Sequence, residues 1–329
     1  MYDNIRLLLK NPFTDNQTRD AFCTRFELET KNEKLNIYHN KGSSNLSQNK
    51  GIFLKLTENS LSIRFSLHKF YNYDLYGKPF NHNDFDFKEA KKAAEKLRIM
   101  FASYFDIMQA TVKEYEVGAN VITSDDPDIY LKELKQINIH GRVLRITDDV
   151  YYKEYKQYST NREKDKRIIY IFYNKTFEAR SKAKEADRPN IPANVLRFEK
   201  DNKRPVEKIK FNRMFENDFI QLTVKEFEQR FTNDLEYKGM PEKPENMTRA
   251  EHNLLCLIHE KGTDGAKAHL KIKLSNGRVK KSYYYETLRM IDKINNILPS
   301  VETTVTKHAA ELNNLIINKI HFFRKYGLF

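Results

Sequence analysis

The chain has 329 residues, 40% of them apolar and 31% charged, a composition that excludes an extended disordered chain. Its two cysteines, Cys23 and Cys256, lie far apart with no Cys-x-x-Cys pair, which excludes a zinc ribbon and argues against a disulfide framework. The formal charge of +13 favours a polyanionic partner, usually nucleic acid, although a Lys- and Asn-rich chain can carry the same surplus as a solvated surface.

The opening, Met1 to Phe13, holds only a short apolar run. Neither it nor any later stretch reaches the length of a leader-peptide core or a membrane span, so the expectation is a cytoplasmic protein with no membrane partner. Ala21 to Thr30 reads as a strand with Phe22, Thr24, Phe26 and Leu28 on one face, and Lys34 to His39 as a second. Asn40 to Lys50 is a Gly-, Ser- and Asn-rich loop. Ile52 to Thr57 and Leu61 to Phe65 are two more strands, and Asn72 to Asn83 a polar loop. A helix begins near Asp86, with Ala90, Ala93, Ala94, Leu97 and Phe101 at helical spacing and Asp84 or Asp86 as cap.

Ala110 to Ile122 reads as a strand, and Asp126 to Gln136 as a short helix opened by Asp-Pro. Strand signals recur at Arg142 to Ile146, in the Tyr-rich Val150 to Tyr158, at Arg167 to Tyr173 and at Asn194 to Lys200. A charged loop, Glu178 to Pro192, separates the last two. Phe211 to Phe231 is helical with Thr223 as its cap. Tyr237 to Asn246, with Gly239, Pro241 and Pro244, marks a domain boundary. A capping box at Thr248 to Glu251 starts a helical region, with a turn at Gly262 to Gly265 and helices over Lys280 to Ile297 and Val301 to Tyr326. The fold class expected is α+β, an antiparallel sheet covered by helices on one side and followed by a helical C-terminal module, with domains over 1–236 and 247–329.

The charge is uneven. Residues 151–213 hold 18 Lys/Arg against 9 Asp/Glu, so +9 of the surplus falls there, as an electrostatic footprint requires. Four segments carry candidate chemistry. His68, Lys69 and Asn72 form a polar cluster in Ser66 to Asn72. Glu114 and Glu116 share one strand face before Gly118, a pattern that suits a divalent cation and equally a solvated strand. Tyr170, Tyr173, Lys175, Glu178, Arg197 and Glu199 can gather on neighbouring strands, where a tyrosine, carboxylates and cations make either a transesterification site or an ordinary ion-paired sheet. Lys271, Lys273, Arg278, Lys280 and Lys281 flank Tyr283 to Tyr285, which suits phosphate neutralisation with base stacking, or a helix whose tyrosines are core. No phosphate loop, dinucleotide fingerprint or nucleophile elbow is present.

Taken in order, Ser66 to Phe70 (SLHKF), Glu116 to Asn120 (EVGAN), Tyr173 to Lys175 (YNK) and Leu196 to Glu199 (LRFE) resemble motifs of phage and plasmid rolling-circle replication initiators, the relatives of the filamentous-phage gene II protein. The resemblance spans roughly residues 50–235. It implies a DNA-nicking and -joining endonuclease in which a tyrosine attacks a phosphate polarised by Mg²⁺ or Mn²⁺. By motif match, Glu116 and Glu199 are metal candidates, Lys175 and Arg197 phosphate contacts, and His68, Lys69 and Asn120 further contacts to DNA. Tyr158, Tyr155 and Tyr173 are candidate nucleophiles, Tyr158 being favoured. The His-hydrophobic-His pair with which many such nucleases hold metal is absent. The competing expectation is a non-catalytic nucleic-acid-binding protein of a mobile element, or one that meets host replication or defence proteins.

Overall fold

The computed structural model describes residues 2–32, 36–40, 51–138, 145–148, 153–158, 168–205, 208–241, 244–297 and 303–327. They form two compact units, Met1–Glu236 with Glu311–Phe329, and Tyr237–Ala310. The architecture is α+β, with an antiparallel sheet and a helical C-terminal region.

In chain order the first unit carries β1 (Tyr2–Lys10), α1 (Asn16–Arg25), β2 (Glu29–Asn32), β3 (Ile37–His39), β4 (Phe53–Thr57), β5 (Ser60–Ser66), α2 (Leu67–Tyr76), α3 (Phe87–Phe101), β6 (Thr111–Ile122), α4 (Pro127–Glu133), β7 (Leu134–Ile137), β8 (Arg145–Asp148), β9 (Lys153–Tyr158), β10 (Ile168–Asn174), α5 (Lys175–Lys182), β11 (Val195–Asn202) and α6 (Asn217–Glu228). β12 (Leu235–Tyr237) closes it. Ten strands make one sheet in the order β2-β3-β4-β5-β1-β6-β11-β10-β9-β8, and every neighbouring pair is antiparallel. The second unit, from Tyr237, contains β13 (Gly239–Pro241), α7 (Arg249–Ser275, broken at the non-helical Gly262, φ +72°, within the expected turn), α8 (Lys281–Ile297) and β14 (Thr303–Val305). α9 (Lys307–Gly327) ends the chain, and from Glu311 onward it groups with the first unit, not with the helical module that precedes it.

The centre of the sheet is buried on both faces, and its faces differ in chemistry. On one face Tyr2, Tyr115, Phe172 and Phe198 meet Phe87 of α3, Phe219 and Phe227 of α6, and Phe231, with ring centroids 5.0–6.4 Å apart. Burying such rings drives the packing of helices against strands. On the other face β6 places Glu116, Gly118 and Asn120, and β11 places Arg197, Glu199 and Asp201.

Several local expectations are corrected. Phe22 lies in α1 and Phe26 is its C-cap, not part of an extended strand: four residues apart, they fit period two and period 3.6 alike. Asp15 caps α1 by accepting from the Thr18 amide at 2.7 Å, and both rings pack on Phe101. Ser66 starts a helix where a strand end was expected, accepting from the Lys69 amide at 3.1 Å, and Gly77 closes that helix at φ +68°. Asn174 likewise caps α5 where a loop was expected. Thr223 is no cap but a buried interior residue of α6, 3.4 Å from the Tyr2 hydroxyl. Val305 lies in β14 and so leaves the apolar stripe of the last helix. Asp86 and Thr248 do form full capping boxes. The loop over 41–50, and the starts of the strand signals at 142–144 and 150–152, lie outside the described residues.

Candidate functional site

The polar face of the sheet is organised around one guanidinium. Arg197 is 1% exposed. Its Nη2 donates to Asp3 Oδ2 at 2.8 Å and to Glu116 Oε1 at 3.0 Å, its Nη1 to Asn120 Oδ1 at 3.2 Å, and its Nε to Glu199. Four residues on three neighbouring strands, β1, β6 and β11, thus share one cation. Gly118, directly opposite Glu199, makes the space: a Cβ there would lie 2.6 Å from Arg197 Nη2. From β10, the Tyr173 hydroxyl donates to Glu199 Oε1 at 2.9 Å.

A second shell fixes these groups. Asn4 donates to Glu116 Oε2 at 2.8 Å, and Ser66 and Asn81 both donate to Asp3, the latter at 2.8 Å. The Asn120 amide donates to the carbonyls of Asn81 and Asn83, each at 3.1 Å. His68 stacks on Phe85 at 4.5 Å and shares Asn83 Oδ1 with Asn72, at 2.7 and 2.8 Å. Lys175 is buried against Glu178 at 2.7 Å, and Lys182 reaches the other Glu178 oxygen at 2.6 Å.

Burial governs the electrostatics. Burial and then the nearby Glu199 and Asp3 hold the Glu116 carboxyl well above the usual carboxylate range. Burial raises Asp3 too, but Arg197 and His68 outweigh it and the carboxyl ends below the usual range. Burial followed by Glu199 pushes the Tyr173 hydroxyl well above 10. Burial lowers both His68 and Lys175.

The expected site residues therefore part into three groups. Glu116, Glu199, Tyr173, Asn120 and Arg197 are brought together, joined by Asp3, which sequence reasoning missed. Arg197 and Asn120 spend their donors inside the protein, and so do Lys175 and His68; none of these four meets solvent as a DNA contact would. Tyr155 pairs with Phe172 and so sits on the aromatic face, away from Glu199. The backbone of Tyr158 pairs with Ile169, and its side chain lies outside the described residues. Lys69 is exposed.

The third group stands in the second unit. α7 and α8 form a helical hairpin closed around a core that includes Leu255, Ile258, Leu270, Ile291 and Ile294, with Tyr284 packed on it. Lys271, Arg278, Lys280 and Lys281 are exposed at its tip and Lys273 half-exposed. Their side chains have no ion-pair partner among the described residues. Away from the tip, Lys267 pairs with Asp292 at 2.7 Å and Lys293 with Glu251 at 3.9 Å. The cations of residues 151–213 behave differently. Lys175, Lys182, Lys200, Lys203, Arg197 and Arg213 all pair with carboxylates, and Lys200, Lys203, Arg197 and Arg213 reach ones outside residues 151–213.

The donor set does not fit a divalent ion as arranged. Among the described residues no three His, Cys, Asp or Glu side chains are grouped to hold a metal, because the carboxylates converge on the guanidinium of Arg197. No helix of the described residues is long and apolar enough to cross a membrane. Comparison with family models, curated proteins and solved structures returns no match.

Proposed function

We propose that the protein binds nucleic acid, and that the tip of the α7–α8 hairpin is its contact surface. The observation that carries this reading is that Lys271, Lys273, Arg278, Lys280 and Lys281 at that tip have no ion-pair partner among the described residues. Two surface cations elsewhere on the same helices, Lys267 and Lys293, find carboxylates. Five uncompensated cations gain most from a polyphosphate, through release of its condensed counterions. Fluorescence anisotropy of a labelled oligonucleotide across a salt series tests it. The variant Lys273→Glu/Arg278→Glu/Lys280→Glu is expected to lose most of the affinity and to flatten the salt dependence. Unchanged binding by that variant refutes the assignment.

A second reading, a nicking initiator of phage or plasmid replication, is favoured by the Tyr173 hydroxyl lying 2.9 Å from Glu199 on the face that also holds Glu116 and Arg197. A carboxylate in hydrogen-bond reach of a hydroxyl is the arrangement a general base requires. The test is a covalent protein–DNA adduct on single-stranded origin DNA with Mg²⁺ or Mn²⁺, compared among the wild type, Tyr173→Phe and Tyr158→Phe. Absence of any wild-type adduct refutes this reading and leaves the binding reading intact.

A further inference from the structure

The hairpin tip carries more than charge. α8 presents Lys281, Tyr285 and Arg289 at i, i+4 and i+8, one row along the helix. All three are exposed, Tyr285 at 53%, although a tyrosine ring gains by being covered. The core-facing row beside it is complete without Tyr285: Thr287, Ile291 and Ile294 are buried, and Tyr284 and Leu288 pack on the same cluster. Among the described residues the only ring against Tyr285 is that of Tyr284, in edge contact at 5.4 Å, and Tyr285 stays 53% exposed. Neither Lys281 nor Arg289 has an ion-pair partner among the described residues.

The geometry points to single-stranded nucleic acid as the ligand of this row, with a base stacked on Tyr285 between phosphates held by Lys281 and Arg289. This rests on the nucleic-acid reading above and narrows it to a substrate class. Four helical residues advance about 6 Å, a step comparable with that between nucleotides of an extended strand. A strand running along α8 can thus meet cation, ring and cation in turn. A duplex hides its base faces within the stack, so Tyr285 adds nothing to duplex binding. Lys271, Lys273, Arg278 and Lys280 continue the cationic track around the tip.

The test uses the full chain and three labelled probes: a short oligothymidylate, the same strand with abasic sites, and a duplex of equal length. Tyr285→Ala is expected to weaken oligothymidylate binding roughly tenfold and to leave duplex and abasic affinities unchanged, with Tyr285→Phe close to wild type. Lys281→Gln and Arg289→Gln are expected to weaken all three probes, each lowering the single-strand salt slope by about 0.7. An oligothymidylate affinity indifferent to Tyr285→Ala, or an equal loss on the abasic strand, overturns the proposal. If charge variants weaken every probe while the wild type prefers none, the single-strand assignment fails and nucleic-acid binding stands. If the wild type binds no probe, both fall.

Discussion

Gly118→Ala offers a sharp test of the buried cluster, because local propensity and packing predict opposite signs. In a strand interior, alanine is normally better than glycine by about 0.5–1 kcal/mol. Here the added methyl would stand 2.6 Å from Arg197 Nη2, 3.0 Å from its Cζ and 3.1 Å from Glu199 Cγ. The guanidinium is the far end of a flexible side chain, but it is 1% exposed and held by Asp3, Glu116, Glu199 and Asn120. Relieving the clash means lengthening the bonds from Nη2 to Asp3 and Glu116, now 2.8 and 3.0 Å. Hydrogen bonds to charged groups contribute about 1.5–3 kcal/mol each, and overpacking costs about 1–3 kcal/mol. Partial loss of two such bonds, offset by the propensity gain, predicts destabilisation of about 2–4 kcal/mol. Urea unfolding of the wild type and variant, with the slope checked for constancy, measures it. A variant as stable as the wild type would show that the guanidinium is not pinned over the strand.

Asp201 is buried, its Oδ1 has no hydrogen-bond partner among the described residues, and burial, opposed by Lys203, pushes its carboxyl from 3.8 up to about 6. The folded chain holds that proton more tightly than the unfolded chain. Stability therefore falls as pH rises from about 3.8 through 6, by about 3 kcal/mol. Asp201→Asn is expected to remove this dependence in urea midpoints taken at pH 5 and pH 8. Glu178 has the opposite sign. Burial raises it, but Lys175 and then Lys182 bring it from 4.5 down to about 2, so its contribution of about 3 kcal/mol is complete above pH 4.5 and is lost as pH falls toward 2. Glu178→Gln should flatten that acid limb. In the second unit, Thr248→Ala removes the cap of α7 and is expected to cost about 1 kcal/mol, read from its thermal helix signal.

What the residues themselves reveal depends on how far apart the partners lie. α3 and α7 are legible because their capping boxes and apolar periodicity are local. β6, β10 and β11 are legible through alternation, which already sets Glu116 with Gly118 and Arg197 with Glu199. The burial of Arg197 is not legible, since the acceptor on β1, Asp3, stands 194 positions away. Asp3 itself escapes notice because Tyr2–Lys10 has the length of an ordinary strand, and only its neighbours β5 and β6 reveal that it is central. Part of the charge of residues 151–213 is answered from a distance for the same reason. Lys200 finds Glu226 on α6 and Lys203 finds Glu114 on β6, carboxylates outside the window in which the surplus was counted. The basic character of the hairpin tip is legible because its cations, Lys271 to Lys281, lie close together in the sequence.

The buried cluster also bears on how the sheet chooses its register. Moving β11 by one residue along β6 would turn Arg197 to the face lined by Phe227 and Phe231, away from Asp3, Glu116 and Glu199 and toward a face whose Glu226 already pairs with Lys200. An ion left unpaired there would cost several kcal/mol, whereas in the observed register it meets acceptors on both β1 and β6. The cluster thus discriminates against slipped pairings even if its net contribution to stability is small. Arg197→Met separates the two effects. Alone it strands Asp3 and Glu199 without their cation and should cost about 3–5 kcal/mol. Combined with Asp3→Asn and Glu199→Gln it should regain much of that loss, because the charges that needed the guanidinium are gone. Hydrogen exchange at the β6 and β11 amides of the triple variant then reports register: recovered stability with weakened protection in these strands is the expected signature of a lock. Recovery with full protection would show that alternation and the aromatic face suffice to align the sheet.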